Sequence, residues 1–302
     1  MLNCSQPALE KLLSGLKALD YTGYAEQYPP FGSWNTFKLS RKTLSDIWRG
    51  SLSDGIETGL YVNIPFCKIK CDFCFLPVTV TGPDETAIRG EFSSYFGLLK
   101  KEAGMLANIF SSASLKTLYI GGGTPSLMTP EEIGRLFSLL HSNFHFSPKA
   151  QVTTEIHPET ADISVLKAFK SGGVNWLCIG AQSLNSGVLS KAGRRQDMGA
   201  VIRAYKNARR AGIEGINIDL ICGLPGQTEK SFLKDVKIIA DLRPDESHLN
   251  TFIVTPYTLY GRRGGKPDAP EITERLKEKG FALLAAKGYK KLHYDSAGLK
   301  SF

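Results

Sequence analysis

Three cysteines within eight residues form the densest group of metal-ligating side chains in the sequence; they are Cys67, Cys71 and Cys74, spaced C-x3-C-x2-C. Thiolates so close together can bind one soft metal centre, and tight cysteine runs are typical ligands of iron–sulfur clusters. Structural zinc needs four ligands, usually in two separated pairs. A cubane cluster with only three cysteine ligands keeps one iron open for a small molecule, which predicts a catalytic cluster. The alternatives are a zinc loop and three unrelated core cysteines.

A glycine-rich motif, Gly121-Gly-Gly-Thr-Pro125, follows an apolar run and precedes a helix start signal. Three glycines remove every Cβ atom, so backbone amides and carbonyls can approach a ligand closely. The glycine spacing matches neither the dinucleotide fingerprint nor the phosphate-binding loop. The alternative is a tight connection, so the motif gains meaning from the cysteine loop one βα unit before it.

The elements that must position these motifs alternate between strand and helix from Gly59 onward. Strands are predicted at 60–65, 115–120, 151–156, 176–179, 215–221 and 248–254, with a candidate seventh at 291–294. Helices are predicted at 85–110, after Thr129, between Asp197 and Gly212, after Thr228 and at 273–286. Alternation of this kind implies a parallel sheet with right-handed crossovers. We expect an α/β fold, an open and partial (βα)6-type barrel related to the TIM barrel.

The candidate residues all fall at the carboxyl ends of predicted strands, where barrels of this kind hold their active sites. The cysteine loop follows the first strand and the glycine motif follows the second. Glu155 ends the third strand, Gln182 follows the fourth, Asp219 lies late in the fifth, and Thr255 follows the sixth. The sequence therefore predicts that these groups meet at one edge of the sheet.

Residues 1–57 are expected to be a short N-terminal appendage, and residues 58–302 the barrel. The segment 8–19 has the pattern of an amphipathic helix, and 43–48 is predicted to be a helical turn. The segment 28–34 is rich in proline and glycine, which predicts turns. We find no candidate catalytic residue in this appendage.

The composition excludes a disordered chain, because 42% of the 302 residues are apolar and 10% are aromatic. The sequence has no apolar run long enough to cross a bilayer and no secretory signal at its start. We expect a cytoplasmic protein without a membrane partner, in which cysteines serve as metal ligands. Cys178 and Cys222 lie in strand-like runs and are predicted to be buried.

The net charge is +8, and the excess is uneven, because residues 258–291 carry nine Lys or Arg and four Asp or Glu. The densest part is the loop from Arg262 to Lys266. Such an excess is either solvated surface or a means of attracting an anionic small-molecule substrate. Since no nucleic-acid recognition motif accompanies it, a nucleic-acid partner is not expected.

Five motifs in a fixed order resemble a known family. They are Tyr61-Val-Asn-Ile-Pro-Phe-Cys67, Gly121-Gly-Gly-Thr-Pro-Ser126, Glu155-Ile-His-Pro-Glu159, Gly180-Ala-Gln-Ser-Leu-Asn185 and Asn217-Ile-Asp-Leu-Ile-Cys-Gly-Leu-Pro-Gly-Gln-Thr228. The sequence resembles the radical S-adenosylmethionine superfamily, and within it the oxygen-independent coproporphyrinogen III oxidase family. That family also includes haem chaperones and a class of radical methyltransferases. The resemblance covers residues 58–296.

The resemblance implies two cofactors, a 4Fe–4S cluster on the three cysteines and S-adenosylmethionine on the open iron. One electron from the cluster would cleave S-adenosylmethionine into methionine and a 5′-deoxyadenosyl radical, which abstracts hydrogen from a small-molecule substrate. The electron would come from a reducing donor such as flavodoxin or ferredoxin.

The same resemblance implies a set of cofactor-binding residues. The cluster-bound S-adenosylmethionine would contact Tyr61, Gly122, Glu155 and the backbone near Thr255, and a second S-adenosylmethionine would contact Phe73, Gly123, Thr124, Gln182, Arg194 and Asp219. Carboxylates suit ribose hydroxyls, and a guanidinium suits a carboxylate tail. The alternative for Asp219 and Arg194 is a helix cap or a surface ion pair.

The histidines are predicted to be peripheral. His157, beside Glu155, is the one candidate proton donor. His141, His145, His248 and His293 are predicted to lie at the surface or at a strand edge.

The sequence also departs from the oxidase pattern. Leu76 stands where the oxidase has a fourth cysteine, and Asn63 stands where it has a histidine. The family's C-terminal substrate-covering domain is expected to be absent, so either the chain is truncated or the barrel mouth closes in another way. Three outcomes therefore stay open. Oxidative decarboxylation of a tetrapyrrole propionate, as in porphyrin biosynthesis, comes first. Methyl transfer with two S-adenosylmethionines and haem carriage are the alternatives.

Overall fold

The computed structural model describes residues 40–53 and 57–299. The chain divides into two compact units, Met1–Gly50 and Ser51–Phe302. Helix α1 (Arg41–Ser53) contains the helical turn predicted at 43–48. The segments predicted at 8–19 and 28–34 lie outside the described residues. In the described ranges, no helix is both long enough and apolar enough to cross a bilayer.

The second unit is built on an eight-stranded sheet in the order β1-β4-β5-β6-β7-β8-β10-β9. The strands are β1 (Gly59–Ile64), β2 (Phe66–Cys67), β3 (Thr79–Val80), β4 (Leu115–Gly122), β5 (Phe146–Ile156), β6 (Trp176–Gln182), β7 (Gly215–Cys222), β8 (Glu246–Thr251), β9 (Lys290–Lys291) and β10 (Ser296–Gly298). Strands β1 and β4 to β8 pair in parallel with their neighbours. The sheet as described ends on β1 and β9 without closing, which confirms the predicted open, partial barrel.

The predicted seventh strand at 291–294 is only partly right. Lys290–Lys291 forms β9, but β10, which the sequence reading missed, lies between β9 and β8 and runs antiparallel to both. The chain leaves β9 through a short turn, and a parallel return needs a crossover of a dozen or more residues. A hairpin is therefore the geometry available at this edge.

Helices cover the outer face of the sheet. They are α2 (Glu85–Ala107), α3 (Pro130–Asn143), α4 (Ile163–Ser171), α5 (Ser186–Lys191), α6 (Met198–Arg210), α7 (Glu229–Leu242), α8 (Leu259–Arg262) and α9 (Pro270–Ala286). The predicted caps are confirmed, because Thr129 and Glu132 form a capping box at α3 and Asp197 caps α6. Thr228 caps α7 in the same way. These caps fix where each helix begins and therefore the length of each loop at the carboxyl edge.

Two buried apolar clusters lie between the sheet and its helices. One cluster joins β1, β4 and β5 to α2 and α3 around Phe92, Ile120 and Leu136. The other joins β6, β7 and β8 to α6, α7 and α9 around Ile218, Phe232 and Leu249. The opposite, inner face of the sheet carries polar residues instead. Paired positions on this face include Glu155, Cys178, Asn217 and Glu246, one from each of four adjacent strands.

Candidate active site

The cysteine loop is folded by its own backbone. The Thr81 amide donates to the Cys67 carbonyl at 2.9 Å, and the Cys74 amide donates to the Cys71 carbonyl at 3.1 Å. Strands β2 and β3 pair on either side of the loop and hold its two ends together. All three cysteines are free thiols, Cys71 buried and the other two half-buried. The loop therefore presents its sulfur atoms in a sheltered position that still reaches the surface.

The donor set of this loop fits an iron–sulfur cluster better than a single ion. In the described residues no three His, Cys, Asp or Glu side chains are arranged around one metal ion. A single zinc would draw thiolates to about 2.3 Å from one point, whereas the thiolates of a cluster bind different irons. Burial, followed among other causes by the charges of the neighbouring cysteines, raises the pKa of Cys67 and of Cys74. Thiols with raised pKa values and no disulfide suit a ligand that brings its own positive charge.

Asp72, inside the cysteine motif, ties the loop to two distant segments. Its amide donates to the Ala192 carbonyl at 3.0 Å, and its carbonyl accepts from the Tyr260 amide at 3.0 Å. Its carboxylate accepts from Arg263 Nη1 at 2.8 Å. Asp72 was not singled out from the sequence, although a buried acidic residue between two cysteines was visible there. The loops after β1, β6 and β8 therefore meet at this one residue.

The glycine motif packs directly against the segment that leads into the cysteines. The Gly123 amide donates to the Ile64 carbonyl at 2.7 Å, and the Thr124 amide donates to the Phe66 carbonyl at 2.8 Å. A Cβ atom on Gly123 would lie 2.6 Å from the Phe66 carbonyl oxygen, closer than real Cβ atoms approach. Gly122 has φ of +105°, which disfavours other residues. Thr124 Oγ1 then lies 3.3 Å from Cys67 Sγ, so the two predicted motifs form one surface.

Glu155 joins this surface from β5. Its Oε2 accepts from the Gly122 amide at 3.2 Å, and its Oε1 accepts from the Tyr119 hydroxyl at 2.6 Å. Tyr61, 56% exposed, stacks on Tyr119 with ring centroids 5.7 Å apart. Burial, and then the charge of Asp219, raises the pKa of Glu155 despite these two hydrogen bonds. Tyr61, Gly122 and Glu155, predicted to contact the same cofactor, are therefore brought together.

Arg194 lies beside the cysteines, only 7% exposed, so the alternative of a surface ion pair is wrong for this residue. Its Nη1 donates to Cys71 Sγ at 3.6 Å, and its Nε donates to Gln196 Oε1 at 2.9 Å. Its Nη2 donates to the Gly180 carbonyl. A guanidinium has five N–H donors, so two remain for a ligand. The Arg194 guanidinium therefore lies beside Cys71. Its two remaining N–H groups are available for the carboxylate tail of the predicted ligand.

Gln182, at the end of β6, has a backbone φ of +64°, a left-handed conformation that residues other than glycine rarely adopt. Such positions cost about 1–3 kcal/mol and concentrate at functional sites. The β6–β7 register shifts between Gly180 and Gln182, which turns the strand end. Buried Asp235 anchors the loop that follows, since its Oδ2 accepts from the Ser183 hydroxyl at 2.6 Å and the Leu184 amide at 3.0 Å. The side-chain nitrogen of Gln182 lies 2.9 Å from where a Cβ atom on Gly180 would be, and its contact with a ligand stays a prediction.

Two predicted residues are placed less directly. Phe73 packs in a small apolar cluster with Val188, Ile221, Leu224 and Phe252, which supports the cysteine loop from below. Thr255 makes its hydrogen bonds within its own turn, because its carbonyl accepts from the Thr258 hydroxyl at 2.8 Å and its Oγ1 accepts from the Tyr257 amide at 3.0 Å. Phe73, which is part of the cysteine loop, therefore packs the loop onto this apolar cluster. Thr255 lies in a buried turn beyond β8.

His157 does not have the protonation expected of a proton donor. Burial, and then the charge of Arg194, lowers its pKa to about 3. Its Nδ1 accepts from the Glu159 amide at 3.2 Å, which caps the short turn at Pro158–Thr160. The His157 ring is therefore uncharged at neutral pH and caps this turn, and its role as a proton donor stays a prediction.

His248 was predicted to lie at the surface or at a strand edge, but it lies on β8 within the sheet, with its side chain 33% exposed. Its Nδ1 lies 3.3 Å from Asp219 Oδ1, and its Nε2 lies 3.1 Å from Glu246 Oε1. Asn217 Nδ2 donates to the same Asp219 oxygen at 2.7 Å. The polar alternation of Glu246, His248 and Asn250 along β8 was the available signal. In a barrel the polar side of a strand can face the site instead of the solvent.

A family profile with the description Radical SAM superfamily matches residues 61–239. An oxygen-independent coproporphyrinogen III oxidase from Escherichia coli is 33% identical over 239 residues, which are 78% of this chain and 51% of that protein. The haem chaperone HemW from Lactococcus lactis is 29% identical over 247 residues, 80% of this chain and 62% of that protein. The chain spans about half the length of the first curated relatives it matches.

The fold also matches solved structures. Coproporphyrinogen III oxidase from Escherichia coli, described as a Radical SAM enzyme, superposes with a TM-score of 0.80 at 28% identity, over 93% of this chain and 63% of that one. SuiB from Streptococcus suis, in a complex with the peptide SuiA, superposes with a TM-score of 0.52 at 14% identity, over 93% of this chain and 59% of that one, and shows the fold alone.

Proposed function

Because this chain belongs to the Radical SAM superfamily, we propose that it cleaves S-adenosylmethionine at a 4Fe–4S cluster and abstracts hydrogen from an organic substrate. The superfamily's cofactors are such a cluster and S-adenosylmethionine. Among small-molecule substrates, a tetrapyrrole that carries propionates is our first candidate, and oxidative decarboxylation is the reaction. The observation that carries the proposal is the junction of the cysteine loop, the glycine turn and Glu155 through the bonds of Gly123, Thr124 and Gly122.

Three residues would hold the cluster, namely Cys67, Cys71 and Cys74. When bound, the cluster supplies the electron that opens the carbon–sulfur bond of S-adenosylmethionine. The chain's part is to hold these ligands in place. Asp72 fixes the loop at its centre, and Thr124 places a hydroxyl against Cys67 Sγ at 3.3 Å. Arg194 adds a buried positive charge beside Cys71, which offsets the negative charge of the thiolates.

The glycine turn and Glu155 would orient S-adenosylmethionine. The absent Cβ atoms of Gly121 and Gly122 leave room at the end of β4 for the Glu155 carboxylate, which lies 2.9 Å from where the first of those atoms would be, and for the Asn63 side chain, which would lie closer still to the second. Glu155 offers a carboxylate for ribose hydroxyls, and the bonds from Tyr119 and Gly122 hold it at one angle. Tyr61, stacked on Tyr119, offers an exposed ring edge at the mouth of the barrel.

A second candidate function is methyl transfer with two molecules of S-adenosylmethionine. It is favoured by the second group of polar side chains, Gln182, Arg194 and Asp219, which lies across β6 and β7 from Glu155. The strained backbone of Gln182 supports a ligand role for this group. The two reactions share the cluster and differ in what the second group binds.

Haem carriage is the third candidate, because relatives at 29% identity are named haem chaperones. The basic loop would serve either tetrapyrrole function. Arg263 within it is tied to Asp72 beside the cysteines, which brings the loop to the cluster region. We propose a cytoplasmic location and an electron donor such as flavodoxin or ferredoxin for the enzymatic functions.

The test is anaerobic reconstitution with iron and sulfide, chemical reduction, and mass spectrometry of the nucleoside products. We expect 5′-deoxyadenosine. 5′-Deoxyadenosine alone favours oxidation, whereas S-adenosylhomocysteine beside it favours methyl transfer. A parallel titration with haem covers the carrier function. Tight haem binding without any cleavage of S-adenosylmethionine would overturn the enzymatic proposal.

A further inference from the structure

His248 occupies the inner face of the barrel between two carboxylates. In the register of the sheet, Gly180 on β6, Asp219 on β7 and His248 on β8 are consecutive partners. Asp219 Oδ1 lies 3.3 Å from Nδ1 of the ring, and Glu246 Oε1 lies 3.1 Å from Nε2. Both ring nitrogens therefore face a carboxylate oxygen, and Nδ1 also lies 3.4 Å from Asn217 Nδ2. A ring with two carboxylate partners is held in one orientation, and a neutral imidazole could donate to only one of them.

The inner face around His248 carries an excess of negative charge. Glu155, Asp219 and Glu246 come from three strands, and the charge of Asp219 contributes to the raised pKa of Glu155. Asn217 on β7 and Ser296 on β10, the sheet partner of His248, are neutral. His293 lies near enough to Glu246 to lower its pKa. A positive charge at His248 is therefore placed where it offsets the repulsion between carboxylates.

The protonation of His248 agrees with this geometry. Burial alone would lower its pKa, but the hydrogen bonds to Asp219 and Glu246, together with the charges of these groups, raise it to about 10. The same contact with His248 lowers the pKa of Glu246, although burial acts in the other direction. At neutral pH the ring is then an imidazolium that donates to both carboxylates.

We propose that His248 is a positioning residue that holds the carboxylate of Asp219 oriented for the ribose hydroxyls of a bound adenosyl ligand. This inference rests on the proposed function in its second form, in which Gln182, Arg194 and Asp219 bind a second S-adenosylmethionine. His248 and Asn217 both contact Oδ1 of Asp219, which leaves Oδ2 to accept from a ligand hydroxyl. Without the His248 ring, Oδ1 of Asp219 would keep only the bond from Asn217, and the carboxylate would lose its fixed rotamer.

The test is the binding of radiolabelled S-adenosylmethionine to the reconstituted holoprotein by anaerobic equilibrium dialysis without reductant, so that no ligand is consumed. We expect His248→Asn to weaken binding about tenfold or more, and Asp219→Asn to do the same. The double variant should bind no more weakly than Asp219→Asn alone, because His248 acts through Asp219. His145→Asn, at an exposed histidine, is the matched control and should bind like the wild type.

A second measurement does not depend on the cluster. Nitrogen-15 spectra of the histidine rings in the cluster-free protein should show His248 protonated from about pH 6 to about pH 8. An ordinary histidine, with a pKa of about 6.5, loses its proton within this range. Glu246→Gln removes one partner and should lower the pKa of His248 and weaken binding to a smaller degree than His248→Asn. This variant keeps the ring and serves if His248→Asn fails to fold.

Wild-type affinity in His248→Asn, additive effects in the double variant, or a His248 that titrates near its ordinary pKa would overturn the inference. A holoprotein that binds no S-adenosylmethionine would overturn both the inference and the proposed function. Binding that weakens as expected, in a wild-type protein that yields no 5′-deoxyadenosine after reduction, would overturn the proposed function and leave the role of His248 standing.

Discussion

The two halves of the barrel hold their functional groups in different ways. At the ends of β1, β4 and β5, the site is assembled mainly by the backbone, through the amides of Gly122, Gly123 and Thr124. At the ends of β6, β7 and β8, side chains bond to one another, as in the group of Asp219, His248 and Glu246. Asp72 and Arg194 bridge the two halves at the site, by their contacts with Arg263 and Cys71.

This difference predicts how each half responds to change. Backbone contacts at 2.7–2.8 Å leave no room for substitution, so a change in the cysteine loop or the glycine turn should remove the cluster altogether. Side-chain networks can lose one member and rearrange, so a change in the second half should alter ligand affinity by degrees. Four substitutions test this contrast, two of them at the cysteine and glycine loops.

The largest effect is expected for Cys71→Ala. Loss of one of three ligands should abolish iron retention after anaerobic reconstitution and abolish 5′-deoxyadenosine formation, with little change in Tm of the cluster-free protein. Cys222→Ala is the control, because Cys222 is buried in the apolar cluster away from the cysteine loop. Iron analysis and the visible spectrum measure the result. Activity retained in Cys71→Ala would show that these cysteines serve only the fold.

Gly123→Ala should come next. The new Cβ would meet the Phe66 carbonyl oxygen at 2.6 Å and the Ile64 carbonyl oxygen at 2.9 Å, both of them backbone atoms. Overpacking of this kind costs about 1–3 kcal/mol, and here it separates the glycine turn from the cysteine loop. We expect a lower Tm and poor iron retention.

The matched control is Gly134→Ala in α3, where nothing lies within 4 Å of the added Cβ. Alanine in a helix interior should stabilise this protein by about 0.5–1 kcal/mol. Equal iron content in the two variants would contradict the tight fit proposed for the first half.

Glu155→Gln separates stability from ligand binding. The pKa of Glu155 is raised by burial and by the charge of Asp219. Its stabilising contribution is therefore present below its unfolded pKa and is lost as the pH rises through the folded pKa. As the pH rises from about 4, near the ordinary pKa of a glutamate, through the raised pKa of the folded state, the Tm of the cluster-free wild type should fall relative to that of the variant.

At the same time, the variant should bind S-adenosylmethionine about tenfold more weakly. Thermal unfolding at several pH values and equilibrium dialysis measure the two effects. If the Tm difference between the two proteins is the same at every pH, the account of Glu155 is wrong.

The smallest effect is expected for Gln182→Gly in the second half. Removing the side chain relieves a left-handed backbone conformation that destabilises the folded state by about 1–2 kcal/mol. The greater flexibility of glycine in the unfolded state offsets about 0.5–1 kcal/mol of this gain. We expect a slightly higher Tm, full iron content and a few-fold weaker binding of S-adenosylmethionine.

Arg243→Gly is the control for this position, because Arg243 has φ of +56° at the end of α7 and lies outside the site. The Tm of this variant should rise by a similar amount, and its affinity for S-adenosylmethionine should equal that of the wild type. Loss of iron in Gln182→Gly would remove the distinction between the two halves.

The sequence predicted the first half better than the second, and the cause is physical. The cysteine and glycine loops are contiguous, and each follows a strand, so local pattern and the rule for parallel strands were enough. The partner of Asp72 is Arg263, far along the chain, and no local pattern could pair them. Such long-range pairs appear only once the loops are placed.

The errors at His248 and β10 have specific reasons as well. The alternation along β8 did not show which side of the strand faces the barrel interior. Ser247 and Leu249 are buried on one side, whereas Glu246, His248 and Asn250 lie on the side that carries Asp219. Strand β10 is three residues long and contains Ser296, Ala297 and Gly298, which have little strand preference. It is a strand because it pairs with β8, and pairing is a tertiary property.

The most direct test of the central claim is electron paramagnetic resonance of the reconstituted and reduced protein, with and without S-adenosylmethionine. The claim is that three cysteines hold a 4Fe–4S cluster with one iron open for this ligand. The account predicts a 4Fe–4S signal that changes when S-adenosylmethionine is added, in the wild type and in Cys222→Ala. A signal that stays the same on addition, or a protein that takes up no iron, would contradict it.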